Sequence, residues 1–243
     1  LFDGLARLKL TSHIYQYFSA GYFNLFLPSS IGGDTMRVMW SSKSDIIPTA
    51  AFSLIVIERL LGVGSLILLS VVASFWLELP SEIELIVMAL LLLTVAIFAL
   101  LLFVHRYWRS WAVNIRWVTE ALNTVASVIA NPWRLLAVFL ASILYQIITV
   151  GITHLVVLAF SLPVDGLAIY ALVPLLWFAT FLPISVGGLS VREASFIFLF
   201  ATVGVEHGAA LIMSIGIYAI FAFAGIVGGV WFSAAQFRLV KEL

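Results

Sequence analysis

One interruption, written twice, constrains this chain more than any other feature. Phe26-Leu27-Pro28-Ser29-Ser30-Ile31-Gly32-Gly33-Asp34-Thr35-Met36-Arg37 recurs as Phe181-Leu182-Pro183-Ile184-Ser185-Val186-Gly187-Gly188-Leu189-Ser190-Val191-Arg192. Both copies sit inside apolar sequence, where proline removes a backbone donor and paired glycines weaken a helix. Hydrocarbon cannot satisfy the polar groups set free by such a break, so each copy is expected to lie against protein or a wet cavity. Paired interruptions in two halves of a membrane protein point to a transporter-type binding site near the bilayer midplane.

The membrane reading follows from composition. Of 243 residues, 63% are hydrophobic and 10% charged, and the mean hydropathy is +1.17, which no soluble domain matches. A formal net charge of zero leaves no footprint for nucleic acid. The absence of Cys excludes disulfides, thiolate metal sites and thiol nucleophiles. The sequence has no His-Glu-x-x-His helix, no Gly-x-Ser-x-Gly elbow and no Walker loop. No catalytic residue, metal or cofactor is therefore expected.

Apolar segments run over about 12–27, 46–77, 83–104, 134–160, 167–182, 189–204 and 207–235. Crossing the hydrocarbon takes about 20 residues, so 46–77, 83–104, 134–160 and 207–235 are expected to span. The segments flanking the two breaks would reach only about 24 Å as helices and suit the legs of re-entrant hairpins. Helix starts are marked by Asp45 with Pro48, by the capping-box spacing of Ser81-Glu82-Ile83-Glu84, and by Asn131-Pro132. Trp40, Trp76, Trp108, Trp111, Trp133 and Trp231 fall near segment ends, as an aromatic belt requires. Trp177 falls inside a proposed leg, as a lining or a packing residue. Trp111, Ile115, Val118, Leu122, Val125 and Ile129 form a stripe at helical spacing, which reads as an amphipathic helix in the membrane interface.

The expected architecture is an all-α polytopic membrane protein: about four full spans, two re-entrant helical hairpins in an inverted repeat, and one interfacial amphipathic helix. It forms one membrane domain over 1–243, with a first repeat half at 10–77, a connecting span and interfacial helix at 78–133, and a second half at 134–243. Arg106, Arg109, Arg116 and Arg134 flank the interfacial helix, whereas Glu78, Glu82 and Glu84 mark the preceding loop. The basic side is expected to be cytoplasmic. Three spans separate the repeated motifs, and an odd number makes the two hairpins enter from opposite faces.

The candidate site residues follow from this frame. Arg37 and Arg192, together with the backbone of Gly32, Gly33, Gly187 and Gly188 at helix starts, are suited to a phosphate or carboxylate. Asp34 or Thr35, and Ser190, are expected to cap the half-helices, which would put each Arg in a first turn. A purely structural alternative pairs Asp34 with Arg37 and Glu193 with Arg192. Glu193 also completes a capping box with Ser190. Glu58 and Arg59 lie deep in a span, where a charge costs about 2.5 to 3.5 kcal/mol on insertion scales. As neighbours they point to different helix faces, so at least one is expected to reach a partner such as Arg37 or Arg192. Gln146 and His154 lie two turns apart on one face, as lining of a polar path or as interhelical hydrogen-bonding groups.

The run from Asn24 to Arg37, the Glu58-Arg59 pair and the later Leu-Pro-x-Ser-x-Gly-Gly-x-x-x-Arg-Glu ending at Glu193 resemble the lysylphosphatidylglycerol synthase transmembrane region family, also described as a flippase-like domain. Its best-known example is the membrane half of multiple peptide resistance factor. The resemblance covers nearly all of the chain. It implies a bacterial or archaeal inner-membrane protein that handles lipids with anionic or lipid-linked headgroups. It also implies further membrane helices before Leu1, so the chain reads as N-terminally truncated. Leu189 stands where the first motif has Asp34, which makes the halves chemically unequal. The expected activity is translocation of a lipid, with Asp34, Glu58, Arg59 and Glu193 balancing charge around the headgroup. Alternatives are a membrane enzyme that modifies a lipid headgroup and a scaffold for such an enzyme. The expected partners are membrane lipids; a homo-oligomer or a partner enzyme stays open.

Overall fold

A computed structural model of the chain describes residues 10–26, 31–42, 46–77, 79–107, 116–180 and 191–241. Among these the regular elements are all α-helices: α1 (Leu10–Phe26), α2 (Ile31–Ser42), α3 (Pro48–Ser74), α4 (Ser81–Tyr107), α5 (Arg116–Ile129), α6 (Pro132–Ala159), α7 (Gly166–Thr180), α8 (Val191–Ala201) and α9 (His207–Lys241). Four of them are long and apolar enough to cross a membrane, over Pro48–Ser74, Ser81–Val104, Pro132–Ala159 and His207–Ala234. These are the four expected spans, and the protein is an all-α, multi-pass membrane protein. The helices on either side of the two motifs are shorter, at 17 and 12 residues for α1 and α2 and 15 and 11 for α7 and α8.

Local chemistry sets most of the boundaries. Pro48 and Pro132 open α3 and α6 without wasting a backbone donor, and Asn131 Oδ1 accepts the Arg134 N–H at 3.1 Å. Asp45 lies outside the described residues, and Ile47 holds the cap position of α3 without a side-chain bond. The capping box expected at Ser81 is replaced by a different device. The Ile83 and Glu84 amides donate to the Pro80 carbonyl at 2.9 and 3.1 Å, so Ser81 is already helical. Helices α6 and α8 end in the same motif, in which a residue at positive φ closes two backbone bonds. At Ser161 (φ 50°) the Leu162 amide reaches Val157 and the Ser161 amide reaches Leu158; at Gly204 (φ 79°) Val205 reaches Phe200 and Gly204 reaches Ala201.

The bundle is organised around α3 and α7. The first half of α3, from Ala50 to Leu61, packs with Val128 of α5 and with Leu135, Val138 and Phe139 of α6. Helix α7 is enclosed from Ala168 to Leu176 and packs with α3, α6 and α8. Pro174 removes a donor from its middle, and Ser70 of α3 donates 2.6 Å to the Ala171 carbonyl in the same turn. Packing is reciprocal between the halves: α1 lies along α9, and α7 lies along α3. The α1–α9 contact is close because α9 presents Gly225, Gly228 and Gly229, and a methyl on Gly228 would overlap the Phe18 carbonyl.

Helix α5 forms, although its buried face is not the expected one. Its buried residues are Thr124 and Val128, with Val125 packed beside them, while Val118, Leu122 and Ile129 of the apolar stripe are only half-buried. The stripe is only partly covered by the protein, because α3 packs on one side of it. Trp111 and Ile115 lie outside the described residues.

Candidate functional site

The first motif builds its site from two helices. Helix α2 is already helical at Ile31, so Asp34 lies within its first turn instead of capping it, and Arg37 falls one turn later. Three residues apart, Asp34 and Arg37 share one face. Opposite them, Glu58 and Arg59 stand about 10 residues into α3, or about 15 Å from its start. Arg37 grips Glu58 with both guanidinium nitrogens, Nη1 to Oε1 at 3.2 Å and Nη2 to Oε2 at 2.7 Å. Arg59 grips Asp34, with Nε and Nη2 at 3.0 and 2.7 Å from Oδ2. Asp34 Oδ1 and Arg37 Nη1 are 3.8 Å apart, which closes an alternating row of Arg59, Asp34, Arg37 and Glu58.

This row answers two questions that sequence spacing left open. Glu58 is paired with Arg37, not with Arg192. Both members of the Glu58-Arg59 pair reach partners, because α2 lies between their two directions and carries opposite charges to meet each. The row is neutral as a whole; the Arg37–Glu58 bond is the strong, bidentate kind, while Arg59 sends two donors to one Asp34 oxygen. It is also only partly covered, with the Arg37 side chain 17% exposed and Glu58 37% exposed.

Gly33 has a packing role at this site. A Cβ there would lie 2.7 Å from both the Ala20 carbonyl oxygen and Asn24 Oδ1, so only glycine lets α2 approach α1 this closely. The Gly33 N–H donates to Asn24 Oδ1 at 2.7 Å, which satisfies a donor that the break would otherwise leave bare. Asn24 is a site residue that sequence reasoning passed over, and its signal was an amide in the apolar stretch just before the break. Gly187, Gly188 and Ser190 lie outside the described residues.

The second half presents an enclosed arginine. The Arg192 side chain is 6% exposed; Nη2 pairs with Glu193 Oε1, and Nε donates to Ser214 Oγ at 3.1 Å. Ser214 Oγ in turn donates to Glu193 Oε1 at 3.3 Å. The guanidinium carbon sits 4.6 Å from the centre of the Tyr218 ring, in cation–π geometry. The expected Arg192–Glu193 pairing is thus present, with Ser214 and Tyr218 of α9 completing a cage that sequence reasoning did not name. Its signal lay in the spacing. Glu58 follows Arg37 by 21 residues and Arg59 comes next, whereas Ser214 follows Arg192 by 22. Ser214 therefore holds the place of Arg59, and Met213 that of Glu58.

Other polar residues serve separate contacts. Gln146 faces Gly62 on α3, while His154 lies against Gly166 and Tyr170 of α7, so the two do not converge on one path. Trp177 packs edge-on against Phe221 with ring centres 5.5 Å apart. At the start of α3, Thr49 Oγ1 donates to Glu120 Oε2 at 2.8 Å and Arg116 Nε to Glu120 Oε1 at 2.9 Å. The Thr49 hydroxyl and the Arg116 guanidinium both favour the carboxylate and hold Glu120 below the usual range.

No curated protein and no solved structure matches this chain. A family model described as Lysylphosphatidylglycerol synthase TM region matches it over residues 7–229. The match takes in both motifs, both arginines, three of the four spans and most of the fourth, and the chain belongs to that family, a family of membrane proteins tied to lipids.

Proposed function

We propose that this protein is a translocase that carries an anionic phospholipid or a lipid-linked headgroup across the inner membrane of a bacterium or archaeon, leaving the lipid chemically unchanged. The observation that carries this reading is the half-open row in which Asp34 and Arg37 of α2 meet Glu58 and Arg59 in the interior of an apolar span. Four charges at this depth are costly and persist only when paired. The four charges sum to zero, so the row balances itself in the bilayer.

A phosphate can take over the Glu58 side of the Arg37 fork, because carboxylate and phosphate offer the same bidentate geometry. Arg59 offers a second fork through the same exchange at Asp34. Like-for-like replacement keeps the cost of binding and release low, as a carrier requires, while the acyl or isoprenoid chains stay in hydrocarbon. The reciprocal packing of α1 on α9 and α7 on α3 supports an inverted repeat, in which each hairpin leans on the span of the other half. In this reading Arg192 serves as the anchor that holds α8 on α9.

The test is leaflet exchange of headgroup-labelled phosphatidylglycerol in proteoliposomes, with lipid chemistry followed by mass spectrometry. Wild type is expected to exchange the label without altering it, and Arg37→Ala to lower the rate about tenfold or more, with partial recovery in Arg37→Lys. Turnover of the headgroup would make the protein an enzyme. Neither exchange nor turnover, across phosphatidylglycerol and polyprenyl-phosphate lipids, would leave the scaffold reading.

A further inference from the structure

Beside the second motif the bundle leaves a recess that neither arginine site uses. Helices α4, α7 and α8 enclose a cavity of about 230 Å³, each lining it with residues three or four apart on a single face. Leu175 and Leu199 form a buried floor, whereas Ile86 and Phe198 stand at the rim, 42% and 64% exposed. The recess therefore opens away from the bundle. Seven of its eight lining residues are apolar, and the eighth, Ser195, offers one hydroxyl.

Its depth follows from α4. The lining residues Ile86 and Leu90 lie about 8 and 14 Å along that helix from Ser81. Helix α4 is one of the spans, Glu82 and Glu84 in its first turn mark the headgroup end, and half of the hydrocarbon core is about 15 Å thick. The recess thus sits at acyl-chain depth in one leaflet.

Size and chemistry select the occupant. An apolar cavity stays dry, and one of about 150 Å³ lined by Leu, Ile and Phe admits benzene, so this larger one admits a run of methylenes. One turn of a helix with its side chains fills about 500 Å³, so a partner helix cannot enter. A methylene chain gains no hydrophobic energy on leaving the bilayer, but it restores the dispersion contacts that an unfilled recess forfeits on its lining.

We propose that the recess between α4, α7 and α8 is a binding site for one acyl chain of a membrane lipid, drawn from the leaflet at the Ser81 end of α4. It shares no residue with the charged row or with the Arg192 cage, so it stands whether or not the charged row carries a lipid. A chain seated there bridges α4 to α7 and α8.

The test is photolabelling of the whole chain in phosphatidylglycerol nanodiscs that carry a trace of the same lipid with a diazirine in one acyl chain, read by peptide mass mapping. Met88 supplies the internal control: it is 50% exposed, level with the recess, and on the far side of α4, about 200° round from Ile86. A seated chain stays while surrounding chains exchange, so the half-buried Leu90 is expected to carry about threefold more label than Met88, or above. In Ala179→Phe, whose ring fills the recess, that excess should disappear while Met88 keeps its label. Ser195→Leu fills the recess from the α8 wall and should do the same. The wild-type ratio decides even where a filled variant fails to fold. Labelling that follows exposure alone, with Met88 above Leu90, would make the recess ordinary lipid-facing surface and overturn the site. So would a Leu90 excess that persists in the folded filled variants, or capture of a second copy of the chain by a photoreactive residue in place of Phe198.

Discussion

Each half of the molecule sets an arginine in a short helix against a polar position on a following span, and the two arginines meet different fates. Arg37 is held by carboxylates that are themselves partly exposed, in a row of alternating charges. Arg192 is shut in by Glu193, Ser214 and Tyr218. The difference follows from three positions: where the first half has Asp34, Glu58 and Arg59, the second has Leu189, Met213 and Ser214. Removing three charges leaves one arginine with one adjacent carboxylate, and burial then becomes affordable. A repeated motif thus yields one half with a partly exposed charged row and one with an enclosed arginine.

The largest effect that can break this contrast is expected at Arg192. Arg192→Ala removes the counter-charge of Glu193 and empties the place of a side chain only 6% exposed, and breaking a buried pair costs about 3 to 5 kcal/mol. Arg37→Ala strands Glu58 where it is more than one-third exposed, and the loss is expected near 1 kcal/mol. Denaturant or thermal unfolding of both variants in detergent measures the two costs. Equal losses, or a larger loss at Arg37, would erase the division between an open and an enclosed half.

The next effect concerns how the open half is packed. In Gly33→Ala the new methyl meets the Ala20 carbonyl, which cannot swing away, and the expected cost is about 1 to 3 kcal/mol. Gly62→Ala has 4.0 Å to Gln146 Nε2 and should gain up to about 1 kcal/mol of helix stability. A Gly33→Ala protein as stable as wild type would mean that α1 and α2 are not in close register, and the geometry of the charged row would fall with it.

What the sequence made legible was set by length and by chemistry that acts over a few residues. The four spans follow from apolar runs longer than about 20 residues, and the short helices from the breaks at the two motifs. Partners across helices were not legible. Glu58 had two candidate arginines at unrelated separations, and nothing local chose between them; α2 chose, by lying over the first half of α3. Gly33 read as a backbone donor for an anion because glycine marks both anion-binding helix starts and close contacts, and only the position of α1 shows the close contact. The Ser81 cap failed for a similar reason, since the Pro80 carbonyl one residue earlier already meets the free amides. The Arg59 and Ser214 correspondence was visible in the spacing, but its meaning needed the two cages.

The smallest effect tests how the start of α3, the span that carries the open row, is tied to α5. Glu120 accepts from Thr49 on α3 and from Arg116 on its own helix, and these bonds lower its pKa from the ordinary 4.5. The folded protein therefore favours the ionised carboxylate more than the unfolded chain does. The contribution is fully present above about pH 4.5 and is lost as the pH falls through the lower folded value. Stability measured from pH 6 to pH 3 should include a modest acid-side decline that Glu120→Gln lacks, because the amide still accepts from Thr49 but has no charge to lose. Thr49→Val should shrink the same decline by removing the donor with the largest influence on Glu120. Identical pH profiles in wild type and Glu120→Gln would show that α3 is positioned by packing alone, and that the open half owes nothing to a titratable latch.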